Sequence, residues 1–189
     1  MFGVAVLQPW NAVLSLLQFF AHSSVHNPEF AFPIAMHVFI VVGMLYVMWK
    51  GPNNGSHNLK ISLSFGIGGL IMVGLPWVTL IIGQNIGYYL VLAILTVFGS
   101  INGVSEALIW ALAGGMPHKY IAAIMLGEGI SGIISNLLRL MTLYLFPDEP
   151  SWAAVMFFSV SALMAFIASA IYTIVLKNNE CFQFYLLDM

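Results

Sequence analysis

Long apolar runs separated by short polar breaks dominate the chain. The breaks are KGPNNGSHNLK over 50–60, MPHKY over 116–120 and PDEPS over 147–151, with a polar stretch over 22–29. A helix rises about 1.5 Å per residue and a hydrocarbon core is about 30 Å thick, so some 20 apolar residues cross it. The pattern predicts six spans, at about 1–21, 30–49, 61–83, 87–115, 120–146 and 152–176, forming one transmembrane bundle over 1–189. The fold class expected is all-α, a six-helix membrane protein.

Within these runs the polar positions recur at helical spacing. Gln8, Asn11, Ser15 and Gln18 follow one another at three, four and three residues and share one face of the first span. Lipid cannot satisfy such a face, and the expectation is that it lines a cavity rather than only packing against other helices. Pro9 interrupts the backbone ladder beside it. On the fourth span Gly99, Asn102, Gly103 and Glu106 share a face, with Trp110 one turn further on. On the fifth, Glu128, Ser131, Gly132, Ser135 and Arg139 form a second stripe. Small and polar residues of this kind can simply hold two helices together. Two acids are poorly explained that way, because Ser or Asn would give the same adhesion at a lower desolvation cost.

Depth sharpens this point. Glu106 lies eleven residues before Pro117 and Glu128 eleven after it. Both therefore sit roughly 16 Å from the turn, near mid-membrane. A charged residue costs about 3 kcal/mol at the centre of an inserted helix, so an acid there is a functional candidate. Glu106 and Glu128 are accordingly candidates for proton coupling or gating, together with His37 in the second span and Arg139. Arg139 is too far along the axis to pair with Glu128, and can snorkel to the outer interface.

Composition settles the class. Sixty-one per cent of residues are hydrophobic and 6% charged, where a soluble domain carries about a quarter charged residues. No basic cluster is present to hold nucleic acid, and the single Cys181 excludes an intrachain disulfide. Lys50, Lys60, Lys119 and Lys177 fall in alternate connections, while the others have neither Lys nor Arg. By the positive-inside rule both termini are cytoplasmic, and the Asn54-Gly55-Ser56 glycosylation pattern would lie on the wrong side for modification. The expected location is the plasma membrane rather than an organelle. HExxH, GxSxG, a P-loop and Cys/His metal spacing are all missing from the sequence, so neither an enzyme nor a cofactor is expected.

Several short motifs resemble the equilibrative nucleoside transporters, nearly end to end over that family's first six helices. Pro9-Trp10-Asn11 resembles its first-helix signature. Ala111-Leu112-Ala113-Gly114 with Pro117 and Tyr120 resembles its Leu-Ala-Gly…Pro…Tyr segment. Gly127-Glu128-Gly129 with Ser131-Gly132 is similar to its Gly-Gln-Gly…Ala-Gly motif. Leu138-Arg139 with Thr142 resembles a pattern of plant and protist members, and Phe184-Tyr185 an aromatic tail. The resemblance implies the N-terminal bundle of a major-facilitator-type transporter, with a nucleoside or nucleobase substrate and the lipid bilayer and a C-terminal helical bundle as partners. Trp10, Asn11, Ser15, Asn102 and Glu106 are then the substrate-binding candidates, Glu106 standing where many members have Gln. The chain departs from the family in stopping after six helices of eleven, so it lacks the Asp and Arg of the eighth helix, and in carrying Glu128 where Gln is usual. Three functions remain open: a half or fragment of a transporter, a non-transporting six-helix protein with a structural or regulatory role, and an intramembrane enzyme, for which no motif speaks.

Overall fold

The structure is a computed structural model that describes residues 2–15, 17–22, 28–51, 57–82 and 84–176. Its helices are α1 (Phe2–Ser15), α2 (Leu17–His22), α3 (Pro28–Lys50), α4 (His57–Ile81), α5 (Gln84–Gly114), α6 (His118–Leu145) and α7 (Pro150–Ile171), the last continued by a π-helical turn, Tyr172–Leu176. The described residues contain no strand. Helices α3 to α7 are each long and apolar enough to cross a membrane. The chain is thus an all-helical membrane bundle.

The helices extend beyond the apolar runs where polar residues continue them. Helix α4 begins at His57, ahead of the apolar run, and α5 takes Gln84 as its first residue, where a turn over 84–86 was expected. The first N–H groups of a helix have no intrahelical partner, so a polar start in the interfacial region is well tolerated. The first expected span holds two helical segments, α1 and α2. The sequon at 54–56 and the tail from Lys177, including Phe184-Tyr185, lie outside the described residues.

Glycine decides which helices pair. α3 lies along α5, α1 along α6, and α4 against both α5 and α7. At the α3–α5 crossing, a Cβ on Gly99 or Gly103 would run into the carbonyls of Met36 and Ile40, and one on Gly43 into Ser100. At the α1–α6 crossing, a Cβ on Gly127 would come within 3.2 Å of the Gly3 Cα, and one on Gly3 would strike Ile124. Backbones that touch in this way gain packing contacts that any larger side chain forbids. Gly69 on α4 works differently, taking the ring of Phe166 from α7.

Between the pairs an aromatic cluster fills the interior. Phe20, Phe32, Phe98, Phe157 and Phe158 are fully buried with Met36, Met72 and Leu95. Apolar residues also cover the outside. Phe30, Ile34, Val38, Val41 and Leu45 form an exposed stripe on α3, and Leu126, Ile130, Ile133, Leu137 and Leu140 another on α6. In water such surfaces would aggregate; in a bilayer hydrocarbon covers them.

Candidate functional site

The helix pairs α1–α6 and α3–α5 meet along a seam, and several of the candidates converge there. Trp10 projects from α1 to His37 on α3, their ring centroids 4.0 Å apart at an interplanar angle of 73°. Trp10 is half-buried against the aromatic core, and His37 is exposed. On the same seam Glu106 of α5 and Glu128 of α6 lie near enough for their charges to interact. The indole N–H of Trp110, one turn beyond Glu106, is turned towards the Glu128 carboxyl group. The other face of that carboxyl is unsatisfied: Glu128 Oε1 is buried and has no hydrogen-bond partner. A buried acceptor without a donor costs about 1–3 kcal/mol, so it marks a place where a donor is wanted.

Asn11 borders this group from α1. Its Nδ2 donates to Ser131 Oγ at 2.9 Å, and Ser131 in turn donates to the Glu128 carbonyl at 2.7 Å. Asn102 is buried on α5, one turn before Glu106, and Ser15 is half-buried at the end of α1. Arg139 is half-buried near the far end of α6, eleven residues beyond Glu128, and so stands apart from the acids. The arrangement can accept hydrogen bonds through two carboxyl groups and present an indole face.

The polar stripe of α1 divides, which changes the expected cavity lining. Gln8 is fully buried and bonded at both ends: Ser135 Oγ donates to its Oε1, and its Nε2 donates to Ser161 Oγ, each at 3.1 Å. It ties α1 to α6 and α7 and faces no open space, because α6 and α7 close over it. The stripe on α6 divides likewise. Gly127, Ser131 and Ser135 turn towards α1, whereas Gly129 and Gly132 meet nothing within 4 Å.

Two residues that these contacts bring in, Trp110 at the acids and Ser161 in the packing, were not among those singled out for the site. Trp110 had a signal, since it follows Glu106 by four residues on one helical face. Ser161 had none, because its partner Gln8 lies 153 residues away in sequence.

The described helices thus form a glycine-packed membrane bundle with two acids and aromatic rings gathered at one seam. Comparison with known proteins makes this particular. The sequence profile described as "Nucleoside transporter" matches residues 92–187. Among relatives from Arabidopsis thaliana, "Equilibrative nucleotide transporter 1" is 24% identical over 93% of this chain, and "Equilibrative nucleotide transporter 8" is 28% identical over 78% of it. "Equilibrative nucleotide transporter 7" is 22% identical over 97% of the chain. The chain belongs to the equilibrative nucleoside transporter family. It spans between 39% and 45% of the length of these relatives.

Proposed function

We propose that the chain is the N-terminal helical bundle of a carrier that moves nucleosides or nucleobases by alternating access, with the substrate held at the seam between α1–α6 and α3–α5. The observation that carries this reading is the pair Glu106 and Glu128 beside the Asn11–Ser131 bond, with Oε1 of Glu128 buried and lacking a donor. Ribose hydroxyls and base amino groups are donors, and a carboxyl group is the acceptor they need. Asn102 and Ser15 flank the acids as further polar contacts, and a C-terminal bundle supplies the opposing wall. In this reading Arg139 lies towards the outer face, outside the substrate site.

Two adjacent carboxyl groups that share a proton supply coupling as well as binding. Proton and substrate then bias the same two-state equilibrium, which is the requirement for a gradient to drive accumulation. The test expresses this chain with a C-terminal bundle restored and follows nucleoside uptake against external pH. Glu106→Gln is expected to exchange nucleoside still while losing most of the acceleration by an inward proton gradient. Retention of full gradient-driven accumulation by Glu106→Gln removes Glu106 from the coupling step.

A second reading, a non-transporting bundle with a structural or regulatory role, is favoured by the use of Gln8, Ser135 and Ser161 in buried packing. It predicts no saturable uptake even with the C-terminal bundle restored.

A further inference from the structure

The contact between Trp10 and His37 is unlike the rest of the packing. His37 is exposed, yet it stands on the stretch of α3 that packs against α5. Its neighbours Met36 and Ile40 are buried against α5, with Gly99 and Gly103 beneath their carbonyls. The imidazole is therefore presented from a fixed base on α3. Trp10 comes from the other pair, where α1 is held to α6 at Gly3 and Gly127. One side of the indole rests on the aromatic core, and the imidazole meets it edge-on at 4.0 Å. An indole has two side-chain torsions, and these two contacts restrain both, leaving the remaining part of the half-buried ring open. Asn11, the next residue, bonds to Ser131 on the Glu128 turn of α6, so α1 carries both residues along the seam.

We propose that His37 is a positioning residue for Trp10, and that it sets specificity by holding the indole plane on which the planar aromatic base of the substrate stacks. This rests on the substrate reading given above. Stacking of a base on an aromatic side chain strengthens with the ring area presented. The arrangement therefore favours a purine nucleoside over a pyrimidine one, and loss of the imidazole reduces that preference rather than the affinity for sugar. An edge-on aromatic pair contributes enough to hold a ring in one orientation against its alternatives.

The experiment uses the whole chain in lipid nanodiscs, in two measurements. In the first, Trp49, Trp77, Trp110 and Trp152 are replaced by Phe, and the anisotropy decay of Trp10 is followed in the parent, His37→Ala and His37→Phe. In the second, equilibrium binding of radiolabelled adenosine and uridine is measured in the native-Trp chain with a C-terminal bundle restored, using the same His37 variants. The expected result is that His37→Ala widens the motion of Trp10 and lowers the adenosine-to-uridine affinity ratio about two- to tenfold. His37→Phe keeps an aromatic ring but cannot carry a proton, and is expected to restore both. Unchanged motion of Trp10 in His37→Ala overturns the positioning role, whatever binds. Freed motion with an unchanged adenosine-to-uridine ratio overturns the specificity role. Freed motion with no nucleoside binding even by the parent defeats the substrate reading and the specificity role together, while the positioning contact stands.

Discussion

At the scale of single residues, the buried amide of Gln8 shows how a polar group earns its place in an apolar bundle. Both ends are bonded, to Ser135 and Ser161, so the side chain links three helices without an unsatisfied atom. Interhelical hydrogen bonds in membranes average about 0.6 kcal/mol each. Gln8→Leu removes two of them and strands two hydroxyls. It is expected to destabilise the bundle by about 1–2 kcal/mol, read as a lower midpoint in thermal unfolding in detergent. Removing the partners as well, in Gln8→Leu with Ser135→Ala and Ser161→Ala, is expected to recover part of the loss, because no polar group is then left buried alone. Glu128 is the contrasting case. Its buried Oε1 has no partner, and Trp110 is turned towards the same carboxyl. Glu128→Gln replaces the carboxyl group with an amide that has no charge to desolvate, and is expected to leave stability unchanged or to raise it in the same unfolding assay while weakening nucleoside binding. A drop in stability as large as that of Gln8→Leu would instead make Glu128 a packing residue.

At the scale of elements, the glycines separate into those that set helix distance and those that do not. Gly103 lies under the Ile40 carbonyl and Gly127 against Gly3, and neither crossing can admit a methyl group without the helices moving apart. Gly129 and Gly132 have nothing within 4 Å of a Cβ position. Gly103→Ala and Gly127→Ala are expected to cost about 1–3 kcal/mol through overpacking. Gly132→Ala is expected to be neutral or to stabilise by up to about 1 kcal/mol, through helix propensity alone. Unfolding midpoints of the three variants, measured side by side, check the division. If Gly103→Ala and Gly132→Ala behave alike, the close α3–α5 crossing is wrong.

At the scale of the whole molecule, lysines and acids gather at opposite ends of the bundle. Lys50 closes α3, Lys60 lies in the first turn of α4 and Lys119 in that of α6, whereas Glu29, Asp148 and Glu149 sit at the opposite helix ends. We expect the lysine end to be cytoplasmic. With Cys181 replaced by Ser, a cysteine at Gly51 should resist impermeant thiol reagents in intact cells, and one at Asp148 should react. Labelling at Gly51 and protection at Asp148 would reverse the orientation. The exposed apolar stripes on α3 and α6 meet either lipid or other helices, and α4 carries a further one at Leu59, Leu63, Ile67, Leu70 and Trp77.

How much of this was legible in the sequence follows from how far each interaction reaches. Helix existence, approximate ends and membrane class are local matters. Runs of some 20 apolar residues specify them, and α3 to α7 fall where the runs do, with polar residues carrying α4 and α5 a few positions further. The family was legible too, because its short motifs lie within single helices. Helical spacing also placed Glu106 and Trp110 on one face, since the 3.6-residue repeat is a property of one chain segment. Which helices pair was not legible. That depends on backbones meeting at Gly3 and Gly127, or at Gly43, Gly99 and Gly103, residues more than fifty positions apart. The split of the α1 stripe was hidden for the same reason. Gln8 and Asn11 are equivalent by spacing, and only the arrival of α7 beside one of them buries Gln8 with Ser161, while Asn11 stays at the edge of the seam. The sequence by itself determined helices, membrane class and lineage, all set by short-range chemistry. Tertiary structure alone decided which polar groups hold the bundle together and which, like Oε1 of Glu128, are left waiting for a donor, because burial and partnership are made by elements that only folding brings together.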